Sequence, residues 1–331
     1  MAKRILFVVS TLMVSVVLIA LIAFGQGRGE RGTPPPARPD NPQSLAQIDA
    51  ARKIAGDDAF LRKPFDFFCV TANTRANDSN APELEPVQLF DDVYAVGNSE
   101  TTVYAITTSD GIVLIDAGYP ERVESVLIPG LRKLGLDPAR VKYILVGHGH
   151  GDHFGGARYF QDHYATRIAT TAADWDLINP PNQPANQARP KKDVVLSEGQ
   201  PLRFGGLTFT PILIPGHTPG SLAFIFPVRD KGKVRIAGLF GGTALTLNRL
   251  TTDALKQYIG SIGHYLEAAK KMNVEVELQN HPIFDGMPER LAQLKKLKPG
   301  AANPFVVGTD RYIKMWNIVS QCIQAEIARR E

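Results

Sequence analysis

From residue 86 onward, short apolar stretches and polar breaks follow one another in a definite order. Segments 87–96, 102–107 and 111–116 carry the β-branched and aromatic runs of strands, with turn-forming residues at Asp91-Asp92 and at Ser109-Asp110-Gly111. A helix is predicted over 121–134, stopped by Gly135. The strand predicted next, over 141–146, is nearly all apolar, the kind buried on both faces. Further strands are predicted over 167–170, 202–214, 222–226, 234–239 and 274–278. Between the last two, Leu255, Tyr258, Ile259, Ile262, Leu266 and Ala269 repeat with the period of an amphipathic helix covering 253–272. Strands, a helix, strands again and a second helix fit an α/β architecture of two packed sheets with helices outside, an αββα sandwich.

The flanks read differently. Lys3-Arg4 precede an uncharged apolar run over residues 5–24, close to the roughly 20 residues that span a bilayer. Residues 1–25 are expected to be a secretory signal, cleaved after Ala23-Phe24-Gly25, or a retained membrane tether with its basic end in the cytoplasm. Both readings export the rest of the chain, to the periplasm or to a membrane facing it. Residues 26–43, with Pro34-Pro35-Pro36, have the composition of a linker. Residues 44–85 read as an extension with one or two helices, 86–308 as the main domain and 309–331 as a C-terminal helix.

Charge and cysteine content narrow the picture. Of the formal net charge of +4, Lys3 and Arg4 supply two. The other basic residues occur as short pairs such as Lys191-Lys192 and Lys295-Lys296, not as the stripe that nucleic-acid binding needs. No nucleic-acid partner is expected. Cys69 and Cys322 are the only cysteines. In an exported chain they suggest a disulfide from the extension to the C-terminal helix, with two unpaired buried thiols as the alternative.

The chemistry concentrates in Gly147-His148-Gly149-His150-Gly151-Asp152-His153, which directly follows the apolar strand. Imidazole and carboxylate are zinc ligands, and glycines allow a loop tight enough for several of them to converge. Three of the chain's seven histidines share this loop, which a chance cluster does not explain. His217 lies just past a predicted strand in Gly216-His217-Thr218-Pro219-Gly220, and His281 does the same in Asn280-His281-Pro282. Each alone reads as an ordinary loop histidine; with the first cluster they read as the rest of a two-metal site. His163 and His264 fall in helical surroundings and read as surface residues.

With these motifs the sequence resembles the metallo-β-lactamase superfamily over residues 86–304. The resemblance implies two zinc ions per chain, one held by His148, His150 and His217, the other by Asp152, His153 and His281. It implies that Asp116 supports the ligand loop without binding metal, and that Asp152 is catalytic, orienting the attacking water. Members that cleave thioesters or lactones carry an extra metal-bridging aspartate after the fourth histidine. This chain has Gly241-Gly242-Thr243 in that region, with no acid and no cysteine. The resemblance is therefore to the third subclass of metallo-β-lactamases. Gly147 departs from the pattern, which usually has threonine there and with it one more hydroxyl behind the ligands.

The implied function is zinc-dependent hydrolysis of a small molecule, the β-lactam ring first, with another lactone, ester or amide as the alternative. A metal-binding but catalytically idle protein is the rival from another class, and the complete ligand set argues against it. Ser221 and Thr243 are possible contacts for a substrate carboxylate, although hydroxyls beside strands are more often structural.

Overall fold

Alternating apolar positions become two sheets in the computed structural model, which describes residues 38–71, 79–182 and 189–331. The first is seven-stranded, in sequence order: β1 (Val87–Gln88), β2 (Val93–Gly97), β3 (Thr102–Thr107), β4 (Ile112–Ile115), β5 (Val141–Leu145), β6 (Arg167–Thr170) and β7 (Val194–Val195). Pairing is antiparallel from β1 to β4 and parallel from β4 to β7. The second sheet runs β12-β11-β10-β9-β8, with β8 (Leu202–Phe204), β9 (Leu207–Leu213), β10 (Leu222–Asp230), β11 (Lys233–Phe240) and β12 (Val276–Leu278). Only β11 and β12 pair parallel in it. The helices are α1 (Pro42–Ala55), α2 (Ala59–Phe65), α3 (Ile128–Lys133), α4 (Gly151–Phe154), α5 (Ala157–Tyr164), α6 (Ala172–Ile178), α7 (Thr252–Lys271), α8 (Met287–Lys295) and α9 (Thr309–Ala328).

The period of two along each strand divides its side chains between two cores. Tyr104, Ile106, Val113, Ile115 and Leu145 meet Phe209, Leu222, Phe224, Phe226 and Leu239 between the sheets. The alternate residues Val103, Ala105, Leu114 and Ile144 pack outward onto Leu131, Phe160 and Trp175 of α3, α5 and α6. On the far side, Ala223, Ile225 and Phe240 pack onto Ala51, Tyr258, Tyr265 and Trp316 of α1, α7 and α9. The result is the αββα sandwich that the sequence predicts. Burial on both faces explains the continuous apolar start of β10, while β5 buries Val141, Ile144 and Leu145 and leaves Lys142 exposed.

Three predicted elements differ in detail. Segment 202–214 is a hairpin, because Gly205 and Gly206 have φ of 53° and 79° and close a tight turn between β8 and β9. Segment 87–96 divides into β1 and β2, which pair antiparallel across a turn where Leu89 N and Phe90 N both donate to Val93 O. Segment 121–134 is helical but wound unevenly, a 3₁₀ turn at Pro120–Arg122, a π turn at Val123–Leu127, then α3. Pro129 has no N–H to give the ordinary helical bond, and Ile128 N donates instead to Val123 O, five residues back.

The expected signal or tether over 1–25 lies outside the described residues, as does most of the linker. Helix α1 begins inside the stretch read as linker. Asn41 and Ser44 cap each other's backbone N–H there, and Pro42 occupies the first turn, where its missing donor costs nothing. Cys69 and Cys322 form a disulfide, Cα to Cα 5.0 Å, across 253 residues of sequence. In the chain-entropy account a loop of that length contributes about 5 kcal/mol. It fastens the extension to α9, whose Trp316 is fully buried.

Candidate metal centre

The site collects at the ends of strands. Asp116 follows β4, the loop 147–153 follows β5, His217 lies beyond β9, Gly241 follows β11, and Asn280-His281 follow β12. Asp116 takes φ of 63°, unusual for a residue with a side chain. That turn aims its carboxylate back at the ligand loop.

Two triads form. His148 Nε2 lies 3.1 Å from His150 Nδ1 and 3.1 Å from His217 Nε2. His153 Nε2 lies 3.0 Å from His281 Nε2 and 3.3 Å from Asp152 Oδ2, and His281 Nε2 is 3.7 Å from the same oxygen. The imidazoles of His148 and His153, with centroids 4.0 Å apart, join the triads. Among the described residues these six make up the two groups able to hold a metal.

The opposite side of each ring shows why a cation belongs there. His148 Nδ1 donates to Gly241 O at 2.7 Å, and His281 Nδ1 donates to Glu100 O at 2.6 Å. Carbonyl oxygens only accept, so in both rings Nδ1 carries the hydrogen and Nε2 keeps its lone pair. In the first triad the His148 Nε2 lone pair therefore faces two further ring nitrogens at 3.1 Å each, a convergence of nitrogens that a shared cation would satisfy. Tetrahedral zinc, with bonds of about 2.0–2.1 Å to nitrogen, spaces its ligand atoms at roughly 3.3 Å. The donor set and its spacing fit zinc at both triads.

Electrostatics separates the two. Burial, and then the neighbouring imidazoles, push the pKa of His148 and His217 well below the ordinary histidine value. Burial also lowers His150, against the opposing pull of Asp152. In the second triad, burial and His153 lower His281 to about 4. His153 moves the other way. Burial disfavours its charge, yet the carboxylates of Asp152 and Asp116 together outweigh that and raise it to about 10. Asp152 is held far below the usual carboxylate range, because the histidines around it more than offset its burial. His153 thus holds the proton that a cation at this triad must displace.

Asp116 lies behind the second triad and the ligand loop. Its Oδ2 accepts from His153 Nδ1 at 2.7 Å and from Asn280 Nδ2 at 3.0 Å, while Oδ1 accepts from Gly147 N at 2.7 Å. Asn280, which drew attention only as part of a motif, also donates to Gly241 O at 2.9 Å and so ties the two supports together. Gly147 has a packing reason: a Cβ there would lie 3.1 Å from both Cα and O of Gly241. The close approach of these two glycines brings the Gly241 carbonyl to His148, in place of support from a threonine side chain.

The weaker expectations find other surroundings. Ser221 and Thr243 are fully buried. The Ser221 hydroxyl is engaged with Thr218, and the Thr243 hydroxyl donates to one of two acceptors within reach, Phe240 O and Gln279 Oε1. His163 bonds to Tyr159 O and His264 to Glu198, both on the surface and away from the triads.

Comparison with known proteins agrees with this geometry. The sequence pattern of the metallo-beta-lactamase superfamily matches residues 96–230, which hold four of the five histidine ligands. A hydroxyacylglutathione hydrolase of Cereibacter sphaeroides is 34% identical over 218 residues, or 58% of this chain and 80% of that relative. This chain belongs to the metallo-β-lactamase superfamily. Among solved members, a subclass B3 metallo-β-lactamase of Bradyrhizobium japonicum is 29% identical with a TM-score of 0.61, covering 74% of this chain and 91% of that one. A mutant of the metallo-β-lactamase from Legionella gormanii, 23% identical, shares the fold with a TM-score of 0.60 over 75% of this chain and 96% of its own. The chain is thus a hydrolase of this superfamily, with two His/Asp groups suited to metal, one of them fully buried.

Proposed function

We propose that the protein is a binuclear zinc hydrolase that opens the β-lactam ring and acts outside the cytoplasm. The observation carrying this reading is Gly241-Gly242-Thr243 at the end of β11, where thioester- and lactone-cleaving members of the superfamily supply a bridging aspartate. Two self-contained triads with glycines between them match the third subclass of β-lactamases, and likeness to the Bradyrhizobium enzyme supports the match. The disulfide supports export, since such bonds persist in oxidising compartments.

His148, His150 and His217 would hold one ion, and Asp152, His153 and His281 the other. Zinc at such sites polarises a carbonyl and lowers the pKa of water to about 7. Gly241 O, Glu100 O and Asp116 fix the rings, so the ligands need no reorganisation as charge develops. Asp152 remains a carboxylate through the neutral range and can accept a hydrogen bond from the attacking water, which orients it. The hydroxyls of Ser221 and Thr243 are committed inside the fold, so the reading calls for direct attack by water and no acyl-enzyme.

A second reading is thioester hydrolysis, favoured by identity to the hydroxyacylglutathione hydrolase. Kinetics on a penicillin, a carbapenem, a lactone and an S-acyl glutathione separate the two. The β-lactams should give the highest kcat/KM. A thioester preferred by tenfold or more would replace the first reading with the second, and zinc-loaded protein inert to all four would remove both.

A further inference from the structure

Asp116 reaches the second triad; the first has a carboxylate of its own behind it. Asp174 stands in the first turn of α6, after the N-cap Thr171, and is fully buried. Its Oδ2 accepts from Gly149 N at 2.8 Å and from Thr218 Oγ1 at 2.8 Å, and its Oδ1 accepts from Gly220 N at 2.9 Å. Gly149 is the residue between His148 and His150, and Thr218 directly follows His217. One buried carboxylate therefore grips both loops that carry the all-imidazole triad. Thr171 adds a second tie, donating through Oγ1 to Gly220 O at 2.9 Å.

We infer that Asp174 is the positioning residue of the His148, His150 and His217 triad, setting the spacing of its two loops and through it the zinc affinity of that triad alone. Packing supports the assignment. A Cβ on Gly220 would lie 1.9 Å from Thr171 Oγ1 and 2.8 Å from Asp174 Oδ1, and one on Gly149 would lie 3.2 Å from Asp174 O. The start of α6 is pressed so closely on the 217–220 loop that only glycine fits at position 220, and at Gly149 it leaves a contact tighter than a side-chain carbon ordinarily makes. The carboxylate suits its place, since a negative charge in the first turn opposes the positive end of the helix dipole. Three donors converge on two oxygens, a demand that Asn, with one acceptor oxygen and a donor NH₂, cannot meet. None of these contacts reaches Asp152, His153 or His281, so the second triad should not depend on Asp174 for its shape.

The inference rests on the metal centre proposed above, and the test separates the two. Zinc affinity is measured by competition with a chromophoric chelator on full-length protein carrying either His281→Ala, which leaves the first triad, or His217→Ala, which leaves the second. Asp174→Asn should weaken zinc about 10- to 100-fold in the His281→Ala background, the usual cost of losing support behind a ligand. In the His217→Ala background it should change affinity less than threefold. Thr218→Val, which removes one of the three donors and leaves the carboxylate, should give a smaller loss confined to the same background, and it carries the test if Asp174→Asn does not fold. Trp175→Phe, which removes a bond from the same helix to Val194 O without touching either loop, should lower the melting temperature and leave zinc affinity unchanged. Equal losses in both backgrounds, or a loss with Trp175→Phe matching that with Asp174→Asn, would overturn the positioning role. Failure of either parent background to bind zinc would overturn the metal centre itself.

Discussion

The two triads lie side by side on neighbouring strand ends yet are built on opposite principles. The first is three imidazoles with pKa values driven down by burial, so its rings are neutral. The second includes one carboxylate, and a further one stands behind it, so His153 is drawn toward its protonated form. The contrast teaches that one loop, 147–153, serves two electrostatic environments at once. His148 and His150 project into the neutral one, while Asp152 and His153 project into the anionic one. Loading the first triad is a matter of geometry; loading the second is an exchange of a proton for a metal ion.

The largest break in this comparison should come from Asp152→Asn. It removes the carboxylate of the second triad, which the proposed mechanism uses to hold metal and orient water, so kcat should fall by about 10²–10⁴-fold. Melting should stay near that of the wild type, because Asp152, though buried, packs against the histidines of the site and not among the apolar side chains of the cores. Turnover within threefold of wild type, measured with zinc in excess, would remove Asp152 from the mechanism.

Asp116→Asn comes next. It keeps a side chain that tolerates the positive φ, but weakens acceptance from His153, Gly147 and Asn280 together. Zinc affinity at the second triad should drop about 10- to 100-fold, and the first triad should change little. A uniform loss at both would mean that the loop behaves as one unit and that the contrast is not functional.

A pH series sharpens the contrast further. His153 has its pKa raised to about 10, so below that pH it holds a proton that zinc must displace. Apparent affinity of the second triad should therefore rise with pH, about tenfold per unit between pH 7 and 9, with about one proton released. The first triad, whose histidines lie below the ordinary value, should be nearly flat over the same window. Calorimetry in buffers of different ionisation enthalpy counts the protons. Equal slopes for the two triads would contradict the assignment.

The smallest effect on the comparison should come from Cys322→Ser. Loss of a loop closure worth about 5 kcal/mol should lower the melting temperature by about 10 °C. The bond ties the extension to α9 and touches neither triad, so zinc content should stay the same. Zinc loss on removing the disulfide would show that the extension holds the site as well as the fold.

How much of this was legible depended on distance along the chain. The ligands of the 147–153 loop are local, and their spacing alone announces them. His217 and His281 were legible because each directly follows an apolar strand. The strands themselves stood out since both of their faces are buried. What escaped is what folding brings together from afar. Asp116 was reached only through the family resemblance, since its bond from Gly147 N spans 31 residues, and the bond from Asn280 to Gly241 O spans 39. Nothing in Ala172-Ala173-Asp174-Trp175 distinguishes Asp174 from any acid that opens a helix; only its tertiary contacts do. Likewise Gly205-Gly206, with φ of 53° and 79°, turn the chain between β8 and β9 where the apolar residues on either side read as one strand.

The account's central claim, two separable metal triads on one loop, is tested most directly by zinc content measured per chain after loading and desalting. Wild type should retain two equivalents, His217→Ala and His281→Ala one each, and the double variant none. A single equivalent in the wild type, or complete loss of zinc from either single variant, would contradict it.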